Sequence, residues 1–127
     1  MIAVIFEVMP HPEHRQTYLD AAAALKPTLE AMDGFISVER FQSLANPDKL
    51  LSLSFWRDEA AVAGWRNLEQ HRRTQRLGRE TAFADYRLRV AHVLRDYGLH
   101  ERDEAPADSR AVHAPHPAPS AGDAGGA

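Results

Sequence analysis

The side chains best suited to acid–base chemistry stand together near residue 70. His71 and Gln75 are four residues apart, so on a helix they share one face, with Arg72 on the adjacent stripe. An imidazole can take a proton from a weakly acidic substrate, and an amide or a guanidinium can donate hydrogen bonds to the resulting anion. His71 and Gln75 are therefore candidate catalytic residues, and Arg72 is a candidate pocket residue. In the alternative interpretation, the arginines of this region only form a helix face that is exposed to water.

Three aromatic side chains are candidates for contact with an apolar substrate. Trp65 lies one to two turns before His71 and could stack on a planar ring, although a tryptophan at helical spacing is more often a core residue. Phe6 and Phe55 lie in two apolar segments and are expected to line the same pocket. With Arg72 they are the candidate substrate-pocket residues.

The remaining titratable groups have simpler interpretations. Glu7 stands among apolar neighbours, where it is either a buried carboxylate tuned as a base or the partner of a cross-strand arginine, which could be Arg40, Arg87 or Arg89, and pairing is the expected role. His11 and His14 stand three apart at a predicted helix start without a third metal ligand. The 127 residues include no cysteine and no glycine fingerprint of a nucleotide-binding loop, so neither a metal nor another cofactor is expected.

Composition restricts the partners and the location. The net charge of −3 gives no general attraction to nucleic acid or to an anionic membrane. No segment approaches the roughly 20 apolar residues that span a bilayer, and the first residues lack the pattern of a signal peptide. The expected partner is a small molecule, and the expected location is cytoplasmic.

Hydrophobic patterns predict the elements that must position these residues. Branched residues over 2–9 predict a strand, and Pro12 opens a helix with an apolar stripe of three- and four-residue spacings. Pro27 lies inside that stripe and predicts a kink or a break over 23–27. Gly34 suits the left-handed conformation that ends a helix.

The second half of the sequence repeats this order. A hairpin is predicted over 35–43 and 49–57, followed by a helix that Asp58 caps and a last strand over 86–97. In that helix Trp65 faces the sheet with its neighbours in the apolar stripe. Gly64 is the weak point, and a second helical piece is expected from about Glu69 to Gly78. The residues expected to face the sheet are Ala61, Trp65 and Leu68.

The order of elements is therefore βαββαβ. It predicts an α+β ferredoxin-like domain over 1–98, with an antiparallel four-stranded sheet and two helices on one face. The other face carries apolar residues without a cover, so a homodimer through that face is expected. Residues 99–127 have almost no large apolar side chains and are expected to form a disordered tail.

The sequence resembles the antibiotic biosynthesis monooxygenase family over 1–97. The resemblance is carried by the segments Phe-Trp-Arg-Asp-Glu-Ala at 55–60, Gly-Trp-Arg-Asn at 64–67 and His-Arg-Arg-Thr-Gln-Arg-Leu-Gly-Arg at 71–79, and by residues 83–86 and 89–91. It implies a dimeric α/β barrel with a pocket between helices and sheet in each subunit. Families of this kind include cofactor-free oxygenases that convert phenols to quinones, haem-degrading oxygenases and proteins without an assigned role.

The residues argue against the haem-degrading branch. The resemblance implies an Asn on the first strand, a Trp in the second helix and a haem-ligating His about three turns later. Trp65 matches the tryptophan, but Gln75 stands at the ligand position and residues 2–9 contain no Asn. His71 would place an imidazole about 6 Å away along the helix axis. An amide is a poor ligand for haem iron, so haem is disfavoured.

The resemblance leads to one main expectation and two alternatives. The main one is a cofactor-independent monooxygenase that oxidises an electron-rich aromatic, from phenol or quinol to quinone, in a dry pocket. In the first alternative the protein is a non-catalytic dimer that binds a small ligand or serves a stress response. The second alternative is binding and degradation of haem.

Overall fold

The computed structural model describes residues 1–75 and 83–112, with only the backbone for 69–75 and 110–112. The chain divides into two compact units, residues 1–92 and 93–127. None of the helices in the described ranges is long and apolar enough to cross a bilayer. The first unit contains the sheet and both long helices, so it carries the candidate site.

The first unit has the predicted order of elements. A sheet of four antiparallel strands runs in the order β2, β3, β1, β4, and the fold is the expected α+β ferredoxin-like one. A short 3₁₀ helix (Pro12–His14) leads into the first long helix. The elements are β1 (Ile2–Pro10), α1 (Arg15–Glu30), β2 (Phe35–Gln42), β3 (Leu50–Trp56), α2 (Glu59–Gln75) and β4 (Phe83–His92).

α1 continues through Pro27, so the predicted break over 23–27 does not occur. Proline removes one helical donor, and the helix remains anchored by Ala22 and Leu29, which are both buried. After the helix, Gly34 adopts a positive φ of 85°, as predicted for a left-handed position. That turn brings the chain directly into β2.

α2 begins as the sequence predicts and is longer than expected. The backbone N–H of Ala61 donates to Oδ1 of Asp58 at 2.9 Å, which is the predicted N-cap. Gly64 does not divide the helix, which runs without a second start to Gln75. The predicted end at Gly78 lies outside the described residues.

The core lies between the sheet and the two helices. Trp56 is 1% exposed, and its indole N–H donates to the hydroxyl oxygen of Ser54 at 2.9 Å. The strand residues Ile2 and Trp56 pack with helix residues from both α1 and α2, so both helices cover the same face of the sheet. The buried members of this cluster are Ile2, Leu29, Trp56, Ala61 and Val62.

The last strand differs from the prediction at both ends. β4 begins at Phe83, because the Phe83 ring packs against Phe6 and Tyr18. It ends at His92 rather than near residue 97, since His92 pairs with Ile2, where β1 starts. Beyond that pair β1 offers no backbone groups for a ladder.

The second unit has a short helix, α3 (Ala107–Val112). The Arg102 guanidinium lies over the Tyr97 ring, 5.5 Å from its centre, and donates to the carbonyl oxygen of Gly98 and the hydroxyl of Ser109. The domain boundary at residue 98 and the disorder of 99–127 stay predictions, and the described part of that stretch contains α3.

Candidate functional site

Strand register separates the residues of the sheet into two faces. Ile2 and Val4 pack with the core under the helices, so Phe6 points to the same side, which we call the helix face. Ala3 and Ile5 point to the opposite side, which we call the far face. Phe55 pairs with Ala3 and therefore belongs to the far face.

Four rings from three elements meet on the helix face, and we call them the aromatic cluster. Phe6 contacts Phe83 and Tyr86 with ring centres 6.0 and 5.8 Å apart. Tyr18 of α1 contacts Phe83 edge to face at 5.5 Å, and Phe83 lies 6.3 Å from Tyr86. Edge-to-face and tilted arrangements are the favourable ones for aromatic rings, so the cluster is a firm apolar wall.

The wall continues along β4 and is open to solvent. Tyr86, Leu88 and Val90 pair with Val8, Phe6 and Val4 and so share the helix face. Their exposed fractions are 60%, 52% and 49%. Large apolar side chains in such a row on one face are typical of a ligand-binding surface. The aromatic cluster with Leu88 and Val90 is the candidate site.

The predicted site residues do not all come together. Phe6 lies in the aromatic cluster, whereas Phe55 is on the far face, so these two side chains cannot line one pocket. Trp65 packs against the core, with its ring 6.4 Å from that of Trp56. The backbone at His71, Arg72 and Gln75 forms the last turns of α2, and their side chains lie outside the described residues.

Sequence reasoning missed three members of the aromatic cluster, which are Tyr18, Phe83 and Tyr86. A usable signal existed for two of them: Tyr18 is in the apolar stripe of the first helix, and Tyr86 alternates with Leu88 along the last strand. The pairing of Phe83 with Pro10 at the end of β1 could not be anticipated.

A cluster of three charged side chains lies on the far face. The carboxylate of Glu7 accepts from the Arg89 guanidinium at 2.7 Å and lies 3.4 Å from the Lys49 ammonium. Hydrogen bonding to Arg89, and then to Lys49, holds the pKa of Glu7 below its usual value. The expected pairing of Glu7 with a cross-strand arginine is confirmed, and a lowered pKa does not suit a base that works near neutral pH.

A second cluster of charged side chains connects the end of α1 with the start of α2. The Arg57 guanidinium donates to both carboxylate oxygens of Asp33, at 3.1 and 3.0 Å, and to Asp58 at 3.2 Å. Hydrogen bonding to Arg57 lowers the pKa of Asp33. For Asp58 the larger cause of the lowered pKa is the N–H of Ala61, followed by Arg57. This network fixes the turn at Gly34 against the start of α2.

Two other features of the first unit lie outside the aromatic cluster. A shallow depression of about 510 Å³, lined by Met1, Gly34, Phe35, Ile36 and Arg57, lies at the opposite end of the strands from the aromatic cluster and has one charged side chain. The His11 and His14 rings are 6.5 Å apart. Within residues 1–75 and 83–112, three potential metal ligands do not come together.

Comparison with known proteins identifies related sequences. Residues 1–77 match the family model for antibiotic biosynthesis monooxygenase. A protein of Pyricularia oryzae named jasmonate monooxygenase ABM is 47% identical over 93 residues, which are 73% of this chain and 43% of that protein. A 42.8 kDa protein in the whiE locus of Streptomyces coelicolor is 30% identical over 70 residues, 55% of this chain and 18% of that protein.

The fold agrees with a solved structure of the same class. A candidate antibiotic biosynthesis monooxygenase from Deinococcus radiodurans superimposes with a TM-score of 0.65 at 12% identity, covering 77% of this chain and 97% of that one. The chain belongs to the antibiotic biosynthesis monooxygenase family. It spans less than half the length of the curated relatives it matches.

Proposed function

We propose that this chain is a monooxygenase that oxygenates a small apolar substrate against the aromatic cluster. The observation that carries the proposal is the continuous apolar wall formed by the cluster with Leu88 and Val90 on the helix face. Aromatic side chains hold a flat molecule in one orientation and displace water from the surface that it covers, and both effects favour a reaction with O₂. Family membership and the name of the 47% identical relative support oxygen chemistry.

The reaction proposed first is oxidation of a phenol with a free ring position to a quinone. Its balance is phenol plus O₂ giving quinone plus water, with one oxygen atom in each product. The substrate supplies all four electrons, so the protein needs only to remove the phenol proton and stabilise the anion that reduces O₂. In the proposed site His71 takes the proton, and Gln75 and Arg72 donate hydrogen bonds to the anion.

Oxygenation of jasmonate is the second candidate, and the name of the Pyricularia oryzae protein favours it. Jasmonate is a cyclopentanone that carries a carboxylic acid. Its hydroxylation consumes two electrons and two protons beyond those of the C–H bond, so the assay must be run with and without a reductant. The apolar wall suits the ring and side chain of jasmonate as well as it suits a phenol.

We also propose that a second copy of the chain covers the far face. Phe41, Leu53 and Phe55 lie there, and neither α1 nor α2 packs on them. Phe41 is 43% exposed. Two sheets packed face to face would bury these side chains and remove the Glu7 ion pairs from water.

Oxygen uptake tests the proposed activity. Purified protein is given anthrone-type phenols and jasmonate in an oxygen electrode, and a parallel hemin titration is followed by the haem Soret band. We expect protein-dependent uptake with one of these substrates and no Soret shift. Binding without uptake would support the non-catalytic alternative, and a Soret shift would support the haem alternative.

The role of His71 is tested in the same assay. His71→Ala is expected to slow uptake by about 10²-fold because it removes the proton acceptor. His92→Ala is the matched control, since His92 ends β4 at the other end of the sheet from the aromatic cluster. Equal rates in the His71 variant and the wild type would remove His71 from the mechanism.

A further inference from the structure

Arg40 is a cation that the mechanism does not use. It lies in the middle of β2 and pairs with Ser52 of β3. Its side chain is half-buried, and its Nε is shielded from solvent without a hydrogen-bond partner in the described part of the chain. Shielded donors in native proteins almost always have an acceptor, and an unpaired one on a charged group is costly. Because Nε is closed to solvent, a partner from outside the chain would contact the Nη groups of this half-buried guanidinium.

The register places Arg40 in the same row as the candidate site. Arg40 pairs with Ser52, Ser52 with Phe6, and Phe6 with Leu88. Adjacent strands lie about 4.8 Å apart, so the Cα atoms of Arg40 and Phe6 are about 10 Å apart. All four side chains are on the helix face, because Val4 and Val38, which pack on the core, have the same parity in β1 and β2. The row therefore has the cation Arg40 at one end and includes Phe6 of the aromatic cluster.

Ser52 carries the smallest side chain of this row. A serine stands where the neighbouring strands carry an arginine and a phenylalanine, and it is only half-buried beneath the helices. In the described residues its hydroxyl makes no hydrogen bond to another side chain. A guanidinium from β2 and the end of a ligand seated on Phe6 can therefore meet above Ser52.

Three other cations of the first unit already have carboxylate partners. Arg57 is bound by Asp33 and Asp58, and Arg89 and Lys49 are bound by Glu7 on the far face. Arg40 forms no ion pair within residues 1–75 and 83–112. Its guanidinium is therefore available to an incoming anion.

We propose that Arg40 binds the carboxylate of an acidic substrate whose apolar body lies on Phe6 and the rest of the aromatic cluster. A guanidinium presents donors in a planar fork that matches a carboxylate, and the half-buried position strengthens the pair. The substrate class is therefore a small apolar carboxylic acid. This inference rests on the proposed function, because it assigns a substrate class to the same site.

The test compares an acid with its own methyl ester, which differ in charge and little else. Jasmonate and 2-naphthoate, each with its methyl ester, are the probes, and affinity is measured by calorimetry. For the wild type we expect at least one acid to bind at least 10-fold more tightly than its ester. Arg40→Gln should weaken that acid by about 10- to 100-fold and leave the ester unchanged, and Arg40→Lys should retain part of the preference.

Arg66→Gln is the matched control, since Arg66 is exposed on α2. It should leave the ratio of acid to ester affinity as in the wild type. The inference is overturned if neither acid is preferred to its ester by the wild type, or if Arg40→Gln leaves the preference intact. Should Arg40→Gln fail to fold, Arg40→Lys decides the matter, and an acid-to-ester affinity ratio equal to that of the wild type would overturn the inference.

This experiment separates the inference from the proposed activity. The affinity ratio is an equilibrium measurement and does not depend on turnover. If a neutral phenol consumes oxygen but the wild type does not bind either acid more tightly than its ester, the activity stands and the inference fails. If no substrate consumes oxygen but Arg40→Gln removes the acid preference, the inference stands as a binding site and the proposed activity fails.

Discussion

Replacing Gly34 with alanine should destabilise the first unit strongly. Gly34 has a φ of 85°, a conformation that costs other residues about 1–2 kcal/mol. A Cβ at this position would also lie 2.6 Å from Cβ of Ala61, which belongs to a buried and inflexible side chain. Relief of such an overlap typically costs about 1–3 kcal/mol. The expected loss is therefore about 2–5 kcal/mol, a large share of the roughly 5–15 kcal/mol that stabilises a domain.

Urea unfolding followed by tryptophan fluorescence measures this loss, because Trp56 is buried in the core and Trp65 packs beside it. The urea concentration at the midpoint of unfolding should fall, whereas the slope of the unfolding free energy against urea concentration should stay the same. Gly64→Ala is the control: its new Cβ would meet Met32 Cε at an ordinary 3.6 Å, and alanine in a helix should add up to about 1 kcal/mol. A Gly34→Ala protein within about 0.5 kcal/mol of the wild type would refute the reasoning.

Three further predictions concern the two faces of the sheet. Phe83→Ala removes three ring contacts and should lower the affinity for an apolar ligand by about 2- to 10-fold, as measured by calorimetry; unchanged affinity would exclude the aromatic cluster from the site. Leu53→Asp places a charge on the far face and should convert a dimer to a monomer in light scattering, whereas a wild type that is already monomeric would contradict the proposed assembly. The lowered pKa of Glu7 stabilises the folded state above pH 4.5, and this contribution is lost as the pH falls through the folded-state pKa. Thermal unfolding of Glu7→Gln should therefore depend less on pH in that acidic range than wild-type unfolding does.

The sequence predicted the order of elements because each depends on a local pattern. Branched residues predicted β1, alternation predicted β2 and β4, and the hairpin pattern predicted β3. Asp58 was predicted as a cap from its position before a helical stripe. The errors arose where distant residues decide the outcome. α1 runs through Pro27 because buried neighbours anchor it, and β4 ends at His92 because its partner strand starts at Ile2.

The candidate site was predictable only in part for the same reason. Phe6 and Phe55 are both apolar strand residues, and only the pairing of Phe55 with Ala3 reveals that they point to opposite faces. The aromatic cluster depends on Phe83 meeting Tyr18 from a different element, a contact without a local pattern. The roles of His71 and Gln75 stay predictions.

Isotope labelling tests the central claim most directly. The protein is incubated under ¹⁸O₂ with the substrate that consumes oxygen, and the product is analysed by mass spectrometry. A monooxygenase should place one ¹⁸O atom in the product and the other in water, and the product should form more slowly with Phe83→Ala. Product without ¹⁸O, or labelled product formed equally fast without the protein, would contradict the account.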